Sequence, residues 1–210
     1  MTKRLKDELC KMKYENQPMK FNVISLVLIF ICVFSIICAT FFNIPFDYSF
    51  ILSKPVGTAV YNYIPQVPVV MLIASLLGSR LGCVSALLYI IVGFSFPIFA
   101  LGGGIQYILE PGFGYIISYI PAVIVAGLIL KKNFCFIQIL KAALACTLII
   151  HILGLVYALL VMILNHNIFG NVVEFVLMQS SVKLLIDFLF CTIAAYMGYC
   201  VKKVLWIVIG

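Results

Sequence analysis

Apolar runs long enough to cross a lipid bilayer recur along the whole chain and constrain its fold more than any other feature. The first extends from about residue 21 to 42, close to the roughly 20 residues that a membrane-spanning helix needs. Of the 210 residues, 65% are hydrophobic and 10% are charged, whereas a soluble domain carries about 25% charged residues. The sequence therefore predicts an all-α integral membrane protein and leaves no room for a separate soluble domain.

We predict a bundle of six transmembrane helices, at about 21–42, 65–77, 81–92, 112–130, 136–164 and 172–199. The second and third are shorter than a full crossing, so protein-lined loops must complete them. Outer loops are expected at 43–65 and at the glycine-rich stretch 94–111, the second forming a re-entrant segment or cap. Residues 1–20 form a basic cytoplasmic lead-in, 21–203 the membrane domain and 204–210 a C-terminal tail.

The distribution of positive charge supports this count. Nearly all of the 14 Lys and Arg residues fall on one side of the predicted bilayer: in the first 20 residues, at Arg80, at Lys131, Lys132 and Lys141, and at Lys202 and Lys203. Lys and Arg are enriched in cytoplasmic loops, so both termini are predicted to be cytoplasmic. The net charge of +7 thus indicates topology and not a nucleic-acid partner.

The sequence contains few of the residue patterns that are typical of enzymes. The eight cysteines form no CxxC pair, which argues against a disulfide framework or a metal site. We expect His151 to be a hydrogen-bonded core histidine. The chain lacks a GxSxG nucleophile turn and a GxxxxGK[ST] phosphate loop. We therefore predict no catalytic residue, no metal and no ATP site of its own.

Lys183 and Asp187 are the sharpest anomaly in the apolar runs. They lie four residues apart, so on one helix they share a face. A charge at the centre of a membrane helix costs about 2.5–3.5 kcal/mol. We predict that Lys183 binds a ligand and that Asp187 supports it; the alternatives are a neutralising structural pair or a lysine that reaches the headgroups.

Further polar residues cluster between residues 66 and 119. A buried amide such as Gln66 must be hydrogen-bonded and can both donate to and accept from a ligand; its alternative role is to bond backbone freed by the neighbouring prolines. The Gly102–Gly104 loop permits close approach of a ligand, or is simply a tight turn. Aromatic side chains with a polar tip suit a small amphipathic ligand, and equally an interfacial belt; three surround this loop: Tyr107, Tyr115 and Tyr119.

The same region contains short motifs in a recognisable order: Gln66 before the second span, Gly78-x-Arg80-Leu81-Gly82, Ser85 to Tyr89 followed by Gly93, Pro97-x-Phe99-Ala100, and Pro111-x-x-Gly114-Tyr115. Together they resemble the BioY-type biotin-transport subunits, the substrate-binding (S) components of energy-coupling factor (ECF) transporters. The likeness covers about residues 20–200, although Ser180 stands where that family tends to have an aspartate. Adding Phe99 and Gly103, the predicted substrate-binding residues are Gln66, Phe99, Gly103, Tyr107, Tyr115, Tyr119, Lys183 and Asp187.

The resemblance implies a multi-pass protein of the bacterial cytoplasmic (inner) membrane. Biotin would be captured from the outer face in a capped cavity, as a transported substrate and not a cofactor. Its implied partners, besides lipid, are a transmembrane coupling protein and two cytoplasmic ATPase subunits. The alternatives are an S component for another vitamin or small metabolite, a ligand-free structural membrane protein and, last, an intramembrane enzyme.

Overall fold

The computed structural model describes residues 23–47, 49, 57, 60–100, 102–132, 135–164 and 172–209. The predicted basic lead-in, 1–20, and the connection between the fifth and sixth predicted spans, 165–171, lie outside these ranges. Helices dominate: α1 (Val23–Phe41), α2 (Gln66–Ser95), α3 (Phe113–Ile117), α4 (Tyr119–Lys132), α5 (Phe136–Leu164), α6 (Val172–Ser180) and α7 (Val182–Ile209). The prediction of an all-α membrane bundle is confirmed.

The long segment α2 is a helical hairpin that reverses at Gly78. This residue has φ 73° and ψ −172°, a conformation that favours glycine. In a straight helix Gln66 and Tyr89 would be roughly 35 Å apart at about 1.5 Å per residue. Their side chains are instead hydrogen-bonded at 2.9 Å. The two limbs therefore lie side by side, at the positions predicted for the second and third spans.

Five segments of the described chain are long and apolar enough to cross a membrane: Val23–Phe41, Gln66–Ser95, Phe113–Lys131, Phe136–Leu164 and Lys183–Leu205. Large apolar side chains such as Phe30, Phe34 and Leu189 face outward on them, as expected where lipid replaces water. The protein is thus a multi-pass membrane protein. The count of six spans depends on each limb of α2 crossing separately and, with the cytoplasmic position of both termini, stays a prediction.

The predicted loop at 43–65 contains a short antiparallel ribbon. Strand β1 (Ile44–Asp47) pairs with β2 (Val60–Tyr63) in the register Ile44↔Tyr63 to Asp47↔Val60. The Asp47 carboxylate accepts hydrogen bonds from the backbone N–H groups of Ser49 and Gly57, both at 2.8 Å. Hydrogen bonds from the hydroxyl and N–H of Ser49, and then from Gly57, hold the pKa of Asp47 below its usual value.

The glycine-rich stretch after α2 folds into a tight, non-α-helical turn. Phe99 and Gly102 exchange two backbone hydrogen bonds of 2.7 and 3.0 Å, and Gly104 N–H donates to the Gly93 carbonyl at 2.9 Å. A one-turn 3-10 helix (Ile105–Leu109) then leads into α3. The turn therefore closes back on the end of the second limb of α2.

The predicted sixth span, 172–199, is wrong in two respects. It is broken at Ser181 into α6 and α7, and α7 continues to Ile209. The hydroxyl of Ser181 bonds to the Leu177 carbonyl; such local bonds of serine compete with regular helix geometry. Lys202 and Lys203 end the apolar run, but lysine is a good helix former, so the helix continues through residues 204–209.

Candidate functional site

A cavity of about 480 Å³ opens where the β ribbon, the glycine-rich turn and the start of α7 meet. Its volume is within the roughly 300–1,000 Å³ of small-molecule sites. The lining is mixed, with one charged side chain, several amides and tyrosines, and aliphatic groups: Asn43, Val60, Asn62, Ile64, Gln66, Val67, Ala100, Tyr107, Gly112, Tyr115, Ile116, Tyr119, Gln179 and Lys183. The lining thus includes five of the eight predicted residues: Gln66, Tyr107, Tyr115, Tyr119 and Lys183.

Gln66 is held by a buried hydrogen-bond network that fixes the direction of its amide. Thr40 donates to the carbonyl of Ile36 at 2.9 Å, so its oxygen is left to accept. Gln66 Nε2 donates to Thr40 Oγ1 at 2.6 Å and to the Tyr89 hydroxyl at 2.9 Å, while Tyr119 donates to Gln66 Oε1 at 2.9 Å. Both amide protons are thereby committed, and a ligand that reaches Gln66 meets an acceptor.

The variant Gln66→Met tests this network. Methionine has a similar length but cannot replace the amide that Thr40, Tyr89 and Tyr119 share. Thr40 and Tyr89 keep their mutual hydrogen bond of 3.1 Å, whereas Tyr119 loses its bond to Gln66 Oε1, and a buried group left unsatisfied costs about 1–3 kcal/mol. We expect a clear fall in the midpoint of thermal unfolding and at least a tenfold loss of ligand affinity.

The matched control is Gln138→Met, at a half-buried amide in a groove between α4 and α5. It should change neither quantity appreciably. If both variants lowered the midpoint of thermal unfolding equally, the Gln66 network would not contribute more to stability than an ordinary half-buried amide.

Lys183 is buried, with 8% of its surface exposed. Its ammonium group donates to Gln179 Oε1 at 3.2 Å and lies 5.7 Å from the centroid of the Tyr115 ring, within the range of a cation–π contact. These contacts keep the charge at the cavity wall, close to the break between α6 and α7. Lys183 thus supplies a donor and a positive charge to the cavity.

Asp187 lies apart from the cavity lining, in a second network. It is fully buried; Tyr63 donates to its Oδ1 at 2.6 Å and His151 Nε2 lies 3.1 Å from its Oδ2. His151 Nδ1 is 3.2 Å from Ser180 Oγ, which is 3.3 Å from the Tyr115 hydroxyl. The network thus leads from a buried carboxylate to a tyrosine of the cavity wall, and both ring nitrogens of the histidine have partners.

Phe99 and Gly103 lie behind the cavity and do not line it. The Phe99 ring is buried against Tyr107, with ring centroids 4.8 Å apart. A Cβ on Gly103 would overlap the Phe96 carbonyl oxygen and lie 2.6 Å from Pro97 Cα. In the structure, therefore, Phe99 supports Tyr107 and Gly103 lets the turn close.

Five residues of the two networks were not predicted as site residues: Thr40, Tyr63, Tyr89, His151 and Ser180. A histidine in the middle of an apolar helix and an aspartate in another could have been paired, since buried polar groups need partners. The hydroxyl-bearing residues gave no comparable signal, because serine, threonine and tyrosine are common in apolar helices.

The fold and the site together define a class: a helical, multi-pass membrane protein with a small-molecule cavity at one end of its bundle. Comparison with known proteins narrows this further. The chain belongs to the BioY family, whose model matches residues 12–206. The resemblance predicted from the sequence is confirmed.

Three curated relatives give the scale of the similarity. The chain is 33% identical over 119 residues to the biotin transporter BioY of Thermotoga maritima, covering 56% of this chain and 66% of that protein. It is 43% identical over 68 residues to the probable biotin transporter BioY of Lysinibacillus sphaericus (32% and 35%) and 39% identical over 87 residues to that of Pyrococcus horikoshii (38% and 54%). The matched segments thus span about one third to two thirds of these relatives.

The fold is also found among solved structures. A crystal structure at 2.1 Å of the S-component for biotin from an ECF-type ABC transporter superimposes with a TM-score of 0.56 at 19% identity, covering 97% of this chain and 95% of that one. The similarity extends over nearly the whole of both chains. It establishes that the two share a fold.

Proposed function

We propose that this protein is the biotin-binding S component of an ECF-type transporter. Membership of the BioY family supports a transport role and argues against catalysis. The relatives are named as biotin transporters or probable biotin transporters, which indicates biotin as the substrate. The single observation that carries the proposal in this chain is the cavity of mixed polar and apolar lining with Lys183 in its wall.

Biotin offers groups that match this wall. Its ureido N–H groups are donors, and the wall offers acceptors at Gln66 Oε1 and the tyrosine hydroxyls. Its ureido oxygen and its carboxylate are acceptors, and Lys183 is a charged donor. The fused rings and the valeryl chain need apolar contacts, which Val67, Ala100 and Ile116 supply.

In the proposed cycle the β ribbon and the glycine-rich turn cap the cavity after biotin enters from the outer face. The proposed topology has six spans and both termini in the cytoplasm, and in it this mouth opens on the outer side of a bacterial cytoplasmic membrane. Membership of the BioY family supports partners that supply the energy, which we propose are a transmembrane coupling protein and two cytoplasmic ATPase subunits. Lys183 contributes to biotin binding in the cavity wall, and ATP hydrolysis takes place on the partner subunits.

Binding of radiolabelled biotin to the purified protein in detergent tests this function. We expect saturable binding that unlabelled biotin displaces and that thiamine or riboflavin does not. Bound ligand should also raise the unfolding temperature, because it stabilises only the folded state. Displacement by another vitamin and not by biotin would assign the cavity to a different substrate, and saturating biotin without any binding or thermal shift would refute the proposal.

A further inference from the structure

Asp187 is buried and hydrogen-bonded, yet it is separated from the cavity by three side chains. Its two oxygens accept from Tyr63 and from His151 Nε2. The far end of the chain of contacts, Tyr115, belongs to the cavity wall. The carboxylate can therefore influence a bound ligand only through the side chains between them.

An ionised carboxylate can only accept hydrogen bonds, and this fixes the direction of every bond in the chain. His151 must carry its proton on Nε2 to donate to Asp187, so a neutral ring accepts at Nδ1. Ser180 must then donate to Nδ1, and its oxygen accepts the proton of Tyr115. A ligand that reaches the Tyr115 oxygen therefore meets an acceptor.

The charge balance favours this assignment. Among the buried residues that the structure describes, Lys183 and Asp187 are the charged side chains, and His151 lies buried beside them. With a neutral histidine, one positive and one negative charge balance within one helical turn of α7. A protonated His151 would add an uncompensated charge in apolar surroundings, which is costly.

We propose that Asp187 is a specificity-determining positioning residue: acting through His151 and Ser180, it holds the Tyr115 hydroxyl as an acceptor. The cavity then selects a ligand that presents an N–H group to Tyr115. This inference rests on the proposed function for the identity of the ligand, biotin. The proton arrangement itself can be measured without ligand.

The first experiment reads the tautomer of His151 directly. The chain has two histidines, so a His166→Gln background leaves one imidazole signal in a protein labelled with 15N-histidine. We expect a neutral ring protonated at Nε2. In the isosteric variant Asp187→Asn, whose amide can donate to Nε2, we expect the proton to move to Nδ1. A doubly protonated ring in the unmodified network, or one tautomer in both proteins, would overturn the proposal.

The second experiment compares biotin with biotin methylated on both ureido nitrogens, which lacks the N–H donors. We expect the ratio of the two affinities to fall roughly fivefold in Asp187→Asn, the worth of about one hydrogen bond. The matched control is Asp47→Asn, an exposed carboxylate in the β ribbon, which should leave the ratio unchanged. A ratio unaffected by Asp187→Asn in folded protein would refute the role in specificity.

Two more variants separate a positioning role from a general loss of structure. Ser180→Ala should lower the same affinity ratio without changing the buried charges or the Nε2 tautomer. In a Tyr115→Phe background, Asp187→Asn should lower the ratio no further, because residues of one network are non-additive. An additive effect would contradict the relay. Expected tautomers without any biotin binding would refute the proposed function while supporting the relay.

Discussion

Replacing Lys183 with alanine is expected to weaken biotin binding by roughly 10- to 100-fold. Hydrogen bonds to charged groups contribute about 1.5–3 kcal/mol, and Lys183 is the charged side chain in the lining of the cavity. Its contacts are with Gln179 and the Tyr115 ring, so its loss removes a ligand contact without removing a hydrogen bond of the two buried networks. Affinity should fall, and the unfolding temperature of the ligand-free protein should fall as well, because Asp187 loses the positive charge that balances it.

The matched control is Lys203→Ala, at an exposed lysine of the same helix, for which no change in affinity is expected. Repeating the titration with biotinamide identifies the group that Lys183 contacts. A loss confined to biotin assigns Lys183 to the carboxylate, and an equal loss for both ligands assigns it to the ureido oxygen. Unchanged biotin affinity in Lys183→Ala would remove this residue from the site.

Gly127→Ala is expected to destabilise the membrane bundle strongly. A Cβ at Gly127 on α4 would overlap Ser79 N and lie 2.8 Å from Ser79 Cα and 2.9 Å from Gly78 C. All three are backbone atoms at the turn of the α2 hairpin, so no side chain can rotate away. Overpacking typically costs about 1–3 kcal/mol; we expect the upper end of this range, a fall in unfolding temperature of roughly 5–10 °C.

The neighbouring variant Leu128→Ala is the control, because Leu128 is 49% exposed on the outer face of the bundle. Its unfolding temperature should stay close to that of the unmodified protein. Thermal unfolding of both variants in one detergent gives the comparison. A stable Gly127→Ala protein would mean that α4 does not approach the hairpin turn this closely.

Much of the fold could be predicted because the relevant signals are local. Runs of apolar residues mark α1, α4 and α5 directly, and Gly78 marks the reversal between two short spans. The β ribbon could not be read in the same way, because each strand has four residues and pairs with a partner across a loop. The break at Ser181 was missed because one serine pair in an apolar run does not interrupt the periodicity.

The site residues also fall into two groups, those that local sequence signals reveal and those whose roles depend on distant partners. Lys183 and the tyrosines attract attention in the sequence because charge is expensive in a membrane and aromatic residues flank a glycine-rich loop. The roles of Gln66 and Asp187 depend on partners that are distant in the chain. Gln66 bonds residues 23, 26 and 53 positions away, and the Tyr63–Asp187 bond joins residues 124 positions apart.

The sequence by itself thus determined that this is a multi-pass helical membrane protein of the BioY type with one lysine deep in an apolar run. Hydropathy and charge are properties of each residue, so they can be read from the sequence alone. Only the tertiary structure decided that Lys183 faces the cavity while Asp187 turns to His151 and Tyr63. Side chains one helical turn apart can contact different neighbours, and the packing of α5, α7 and the β ribbon sets which ones they meet.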